Sequence, residues 1–377
     1  MPTTMRAVRK AKSERGLTVE EVPIPIIKSD EVLVEVEAAG ICGTDLHIWN
    51  WDAWSRHRIK PPLTLGHEFS GTVVEVGSQV EHIQVGDFVS AESHITCGMC
   101  YQCRTGQAHL CPRTRILGVD IDGAFAEYVA VPEKVIWLND REKISAEIAA
   151  IQEPFGNAVF ATLDQDITGK SVAILGCGPI GLFSVGIAKA SGASYVYASD
   201  INNNRLQLAK TMGATEVFNP KEGGDVVDRL IEANQGLGID VVLEMSGSPI
   251  AINTAFRAAR HGGRVVLFGI PADPVEIDIA ENMIFKNLHV TALNGRRIFE
   301  TWFKTRWLLA NKVVDLTPLI TKTIEFDEIN DAMELLAKGE ACKLVLIPEI
   351  QSPRAPKVAS AWRVADDVSD HGTVQHR

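Results

Sequence analysis

The sequence predicts an α/β protein in two parts: a β-rich first part carrying a short cysteine lobe, then a doubly wound parallel-sheet domain that binds a dinucleotide. Three observations predict it. Apolar and polar residues alternate through residues 5–40, as in Glu31-Val32-Leu33-Val34-Glu35-Val36-Glu37, the pattern of a strand with one face buried. Four cysteines fall between positions 97 and 111. From about Gly169 short apolar runs alternate with helical ones, which is how βα units feeding a parallel sheet read.

Bulk properties agree and exclude several functions. At 377 residues with 46% hydrophobic and 23% charged residues, the chain is globular in composition and long enough for two cores. A net charge of −11 without a long basic run speaks against nucleic-acid binding and against an anionic membrane surface. No apolar run reaches the roughly 18 residues of a spanning helix, and MPTTMRAVRKAKSERG lacks the apolar core of a signal peptide. A cytoplasmic protein is expected.

In chain order, strands follow at 71–76 and 87–90, separated by glycine turns. The first chemistry lies between Gly40 and Gly71, where Cys42, His67 and Glu68 supply a thiolate, an imidazole and a carboxylate suited to a divalent metal. Thr44 and His47 add a hydroxyl and a second imidazole suited to moving a proton. Cys97, Cys100, Cys103 and Cys111 follow with the spacing C-x2-C-x2-C-x7-C. Four thiolates on one short loop match a closed tetrahedral zinc site, whose task is structural because no ligand position stays open. Cys177 and Cys342 read as small apolar fillers, and Trp49, Trp51 and Trp54 as core or pocket-wall residues.

Ser171 to Leu175 reads as a strand, Gly176-Cys177-Gly178-Pro179-Ile180-Gly181 as the turn opening a helix to about Ser191, and Tyr195 to Ser199 as a second strand ending at Asp200. This is the dinucleotide fingerprint in its required context. Gly176 permits the tight turn, Gly178 lets the backbone approach the pyrophosphate, and Gly181 permits close packing of helix on strand. Asp200 accepts hydrogen bonds from the ribose hydroxyls and repels a 2′-phosphate, so NAD is expected rather than NADP. Helices are expected over 225–234, 250–261, 299–311 and 328–338, and strands over 240–244, 264–269, 287–293 and 343–347.

Gly66-His67-Glu68-Phe69-Ser70-Gly71, continued to Gly77 and Val80, spells G-H-E-x2-G-x5-G-x2-V. This resembles the zinc-containing medium-chain dehydrogenases, over roughly residues 5–348. Narrower resemblances within that family lie in 42–52, in 94–98, in 153–159 and in 295–302. The resemblance implies a GroES-like catalytic domain over 1–157 with its zinc lobe at 92–112, a Rossmann NAD-binding domain over 158–296 and a return to the catalytic domain over 297–350; the polar stretch beyond it has no periodicity, and a disordered tail is expected over 351–377. It implies a homotetramer and two zinc ions per subunit.

By the same resemblance Cys42, His67 and Glu68 surround a catalytic zinc and Glu153 is its acidic neighbour; whether Glu68 and Glu153 bind directly or through water stays open. An open zinc site lowers the pKa of bound water to about 7 and acts on an alcohol in the same way. The implied proton path runs from substrate to Thr44, across the nicotinamide ribose, to His47 and out. Ile180, Asp200, Arg205, Phe268, Gly269, Ile270, Leu293 and Asn294 are the implied cofactor contacts. His94 either faces the substrate or is structural. Arg296 holds the substrate carboxylate or the cofactor phosphates, or is a solvated surface charge. The implied reaction is NAD-dependent oxidation of an amino-acid substrate, L-threonine, at its β-hydroxyl to L-2-amino-3-ketobutyrate. A polyol or 2,3-butanediol dehydrogenase is the alternative. A non-catalytic zinc and nucleotide-binding protein is disfavoured, since no metal or relay group is missing.

Overall fold

The computed structural model describes residues 3–348, and the tail expected over 351–377 lies outside the described residues. Two large sheets organise the chain. The first has seven strands, in the order Ile136–Leu138, Phe88–Ala91, Glu68–Val76, Glu31–Gly40, Lys343–Leu346 and Ile320–Ile324, with Tyr128–Pro132 also pairing on Glu31–Gly40. The second is a six-stranded parallel sheet ordered Glu216–Phe218, Tyr195–Ser199, Ser171–Leu175, Ile239–Glu244, Ala259–Leu267 and His289–Ala292. In sequence rank that is 3-2-1-4-5-6, the doubly wound order, with its switch point beside Ser171–Leu175.

The parallel strands are buried on both faces, so they read as continuous apolar runs. Val172 and Ile174 pack into the core on one face of the sheet, and Ala173 and Leu175 into the core on the other. The expected strands 171–175 and 195–199 are found as such, and the helix after the glycine turn spans Pro179–Ala190. The helix expected to reach His261 stops at Ala258, and the strand expected from Arg264 already begins at Ala259. The reason is an irregularity in the pairing. Ala259 faces Ile239 while Arg264 faces Val241, and the extra residues are taken up around Gly262, whose φ of 67° suits glycine.

Glu31–Gly40 departs from expectation as well. Nine of its ten residues are buried, on both faces, although alternating glutamates predicted one wet face. It is the central strand of its sheet, and its carboxylates are kept by partners: Glu31 by Lys28, Glu35 by the Tyr128 hydroxyl, Glu37 by Arg141 and Thr72. Alternation marks a solvent face only when no neighbour supplies a counter-charge.

The last strand returns to the first sheet. Val345 and Leu346 pair antiparallel with Gly40 and Ala39, which carries Lys343 into the region where Glu68–Val76 begins. Helix Gln152–Leu163 packs against Pro179–Ala190 and against Glu300–Ala310. It starts despite Pro154 because a proline in the first turn forfeits no intrahelical hydrogen bond. Gly156 is required there: a Cβ would stand 2.8 Å from Cδ of Arg296.

Candidate active site

Three groups meet at the end of the first sheet. Cys42 caps helix Gly43–Asn50, its amide donating to the Asp45 carboxylate at 2.9 Å. His67 and Glu68 enter at the start of Glu68–Val76, after a turn that Gly66 makes with φ 93°. One ligand atom from each of Cys42, His67 and Glu68 lies within 4.8 Å of the others. His67 and Glu68 are buried, His67 Nδ1 and Glu68 Oε1 have no hydrogen-bond partner, and Asp45 Oδ1 stands 3.8 Å from His67 Nδ1. Lys343 ion-pairs with the other Glu68 oxygen and donates to the Ile41 carbonyl at 2.8 Å.

The electrostatics favour a cation here. Burial pushes the His67 pKa down, but Cys42, Asp45 and Glu153 outweigh it and bring it to about 10. The pocket therefore draws positive charge onto the imidazole when nothing else supplies it. A thiol, an imidazole and a carboxylate with unsatisfied buried donor atoms form a set that zinc takes, so the residues fit the metal.

The four-cysteine lobe fits zinc too. All seven cysteines are free, and the lobe's Sγ atoms stand 3.4 Å apart for Cys100 and Cys103, 3.5 Å for Cys97 and Cys111, and 4.0 Å for Cys97 and Cys103. A tetrahedron of thiolates at Zn–S distances of about 2.3 Å has edges of about 3.8 Å. Backbone amides of Met99 and Cys100 bring the Cys97 thiol down to about 6, toward the thiolate a metal needs. His109 of the lobe stands edge-on to Phe160 at 5.7 Å, docking the lobe on the helix that carries Glu153.

Glu153 belongs to a second buried cluster. The Arg296 guanidinium lies 2.7 Å from Glu153 Oε1, donates to Glu92 through Nε at 2.7 Å, ion-pairs with the other Glu92 oxygen, and reaches Asn157 Oδ1 at 3.1 Å. Ser93 Oγ donates to Glu153 at 2.5 Å, Trp302 Nε1 donates to Glu92 at 2.9 Å, and His94 Nδ1 stands 3.0 Å from Glu92. Arg296 is only 2% exposed, so the surface-charge reading of it falls: two carboxylates hold it inside. His94 is half-buried with its Nδ1 committed to this cluster. Thr44 Oγ1 lies 3.9 Å from Cys42 Sγ, and His47 reaches the surface.

The residues expected to contact the nucleotide gather at the carboxyl ends of the parallel strands, where such sheets bind ligands. Gly176 has φ 100°, Gly178 has open space where a Cβ would stand, and a Cβ on Gly181 would overlap the Gly176 carbonyl. Asp200 accepts from the amides of Cys177 at 2.7 Å and Asn202 at 2.8 Å, with Arg205 at 3.9 Å. Phe268, Gly269 and Ile270 follow one strand and Leu293 and Asn294 the next, and Ile180 lies in the first turn of the helix. Sequence reasoning missed Asp45, Asp52, Glu92 and Lys343. Only Lys343 carried a signal, a lone cation heading an otherwise apolar strand.

Comparison with known proteins gives matches along the chain. Residues 28–140 match the alcohol dehydrogenase GroES-like domain, and residues 179–311 match the zinc-binding dehydrogenase domain. An L-threonine 3-dehydrogenase of Symbiobacterium thermophilum is 50% identical over 353 residues, covering 93% of this chain and 100% of that protein. One from Pyrococcus abyssi is 46% identical, covering 92% and 99%. The solved structure of 2R,3R-butanediol dehydrogenase from Bacillus subtilis superposes with a TM-score of 0.83 at 29% identity, over 92% of this chain and 100% of that one.

Proposed function

The chain belongs to the zinc-containing medium-chain dehydrogenases, and from that premise we propose that it oxidises L-threonine at the β-hydroxyl to L-2-amino-3-ketobutyrate. The observation that carries the substrate is the 50% identity over 353 residues to a protein named for that reaction, against 29% for the butanediol enzyme. When bound, zinc lowers the pKa of the substrate hydroxyl and NAD accepts the hydride.

The chain's own residues do the rest. Cys42, His67 and Glu68 hold the metal, with Lys343 orienting Glu68 and Asp45 lying behind His67. Thr44 takes the hydroxyl proton beside Cys42, and His47, exposed at the rim, passes it to solvent. Glu153 acts in proton transfer or water exchange and is steered by Arg296 and Ser93. The glycine turn and the amino end of helix Pro179–Ala190 face the pyrophosphate, while Asp200 receives the ribose hydroxyls and selects NAD. His94 borders the substrate. Cys97, Cys100, Cys103 and Cys111 hold the structural zinc. A cytoplasmic homotetramer completes the reading; among the described residues no helix is long and apolar enough to cross a membrane.

The test is a comparison of NADH formation with L-threonine, sorbitol and 2,3-butanediol. L-Threonine gives the highest kcat/KM if the reading holds, and a lower rank than either alternative would sink it.

A further inference from the structure

We propose that Asp52 is the positioning residue of the proton relay: by accepting the Nδ1–H of His47 it leaves Nε2 as the nitrogen that receives the proton. The inference rests on the reading of His47 as the last relay group and adds a residue to it.

The geometry begins with a turn. Trp51, at φ 55° and ψ 47°, ends helix Gly43–Asn50 in the left-handed region, and its amide closes onto the Ile48 carbonyl. The reversal brings Asp52 back beside His47, five residues earlier, at 2.5 Å between Oδ2 and Nδ1. Asp52 is also the N-cap of helix Ala53–Arg58, its Oδ1 accepting the Ser55 amide at 2.9 Å. Ser55 is fully buried and its hydroxyl donates to the His47 carbonyl at 2.7 Å. One buried serine thus holds both partners, the carboxylate through its amide and the histidine backbone through its hydroxyl.

Two carboxylate oxygens are assigned two tasks. Oδ1 caps the helix and Oδ2 faces the imidazole. Although burial raises the Asp52 pKa, the Ser55 and His47 contacts more than offset it and hold the value low, so the carboxylate is an acceptor only. A neutral imidazole beside it must place its proton on Nδ1, and the lone pair on Nε2 is what a relay needs. As the proton arrives at Nε2, the fixed negative charge stabilises the imidazolium, and the same N–H bond breaks toward water. This is the logic by which a buried aspartate orients a catalytic histidine. The neighbouring cations are engaged elsewhere, Arg56 on the Trp51 carbonyl and the His57 ring on the Ala53 carbonyl.

Asparagine caps a helix as well as aspartate does, so Asp52→Asn leaves the helix intact while offering His47 an amide N–H where an acceptor stood. The experiment uses the full-length zinc-loaded enzyme with NAD and L-threonine, comparing Asp52→Asn, Asp52→Glu, His47→Asn and the Asp52→Asn/His47→Asn double variant. Expected is a fall in kcat of about 10- to 100-fold in Asp52→Asn, with zinc content and KM for L-threonine within about twofold of the parent, and substantial recovery in Asp52→Glu. In the His47→Asn background the second substitution should add less than about twofold, and the His47 side-chain nitrogen resonances should report the Nε2–H tautomer in Asp52→Asn. Undiminished kcat in Asp52→Asn, or additive losses in the double variant, would overturn the inference while leaving the relay. A His47→Asn enzyme as active as the parent would instead overturn the relay reading itself, and the inference with it.

Discussion

Arg296 and Glu153 form an ion pair of 2.7 Å in which the arginine side chain is 1% exposed and the glutamate 6%. Glu92, fully buried, closes the cluster from the other side. Three formal charges therefore sit together beside the metal site with water excluded. Such a cluster is stable only as a unit, because removing one partner leaves another charge buried and uncompensated.

Arg296→Met is accordingly expected to cost about 3–5 kcal/mol in urea unfolding and to reduce activity through Glu153. Glu92→Gln in the same background should return part of the loss by removing one orphaned charge. A destabilisation below about 1 kcal/mol, the scale of exposed pairs, would show that the cluster is not closed to water.

The same cluster makes stability depend on acid. Burial alone would raise the Glu92 pKa, but Arg296, with His94 and Trp302, brings it down to about 2. A carboxyl whose folded value lies below its unfolded value of about 4.3 contributes stability above that pH and loses it as pH falls toward about 2. The urea midpoint should thus drop between about pH 5 and about pH 2, and drop less in Glu92→Gln. Equal slopes for the two proteins would refute the assignment.

On the proposed function, cofactor choice would rest on Asp200. Its carboxylate is fixed by the amides of Cys177 and Asn202, so it would meet a ribose as a rigid acceptor. Asp200→Ser should raise KM for NAD and reduce the NAD-over-NADP ratio of kcat/KM by at least about tenfold, a change of about 1.4 kcal/mol. An unchanged ratio would place the discrimination elsewhere.

How much of this was legible in the sequence follows from what each residue needs. Gly176, Gly178 and Gly181 were readable because their spacing encodes a local turn, and Cys97 to Cys111 because four ligands lie within one short stretch. Cys42, His67 and Glu68 were readable as a motif and do converge. Glu92 was not, since its partner Arg296 lies 204 residues away and nothing near either residue announces burial. Lys343 meets Glu68 only because the last strand returns to the first sheet. Gly40 answers to the neighbouring strand instead: it faces Glu68, and a methyl group there would overlap the Glu68 carboxylate. Asp52 was hidden differently, as an ordinary helix cap whose second oxygen has a separate use.

The proposed reaction depends on zinc held by Cys42, His67 and Glu68, while the four-cysteine lobe holds a separate ion. Zinc content per chain, measured on Cys42→Ser protein together with its L-threonine turnover, separates the two metals. We predict a fall from two zinc ions to one, loss of NADH formation, and cooperative unfolding retained. Cys42→Ser protein that keeps both zinc ions and its turnover would show that the catalytic metal lies elsewhere.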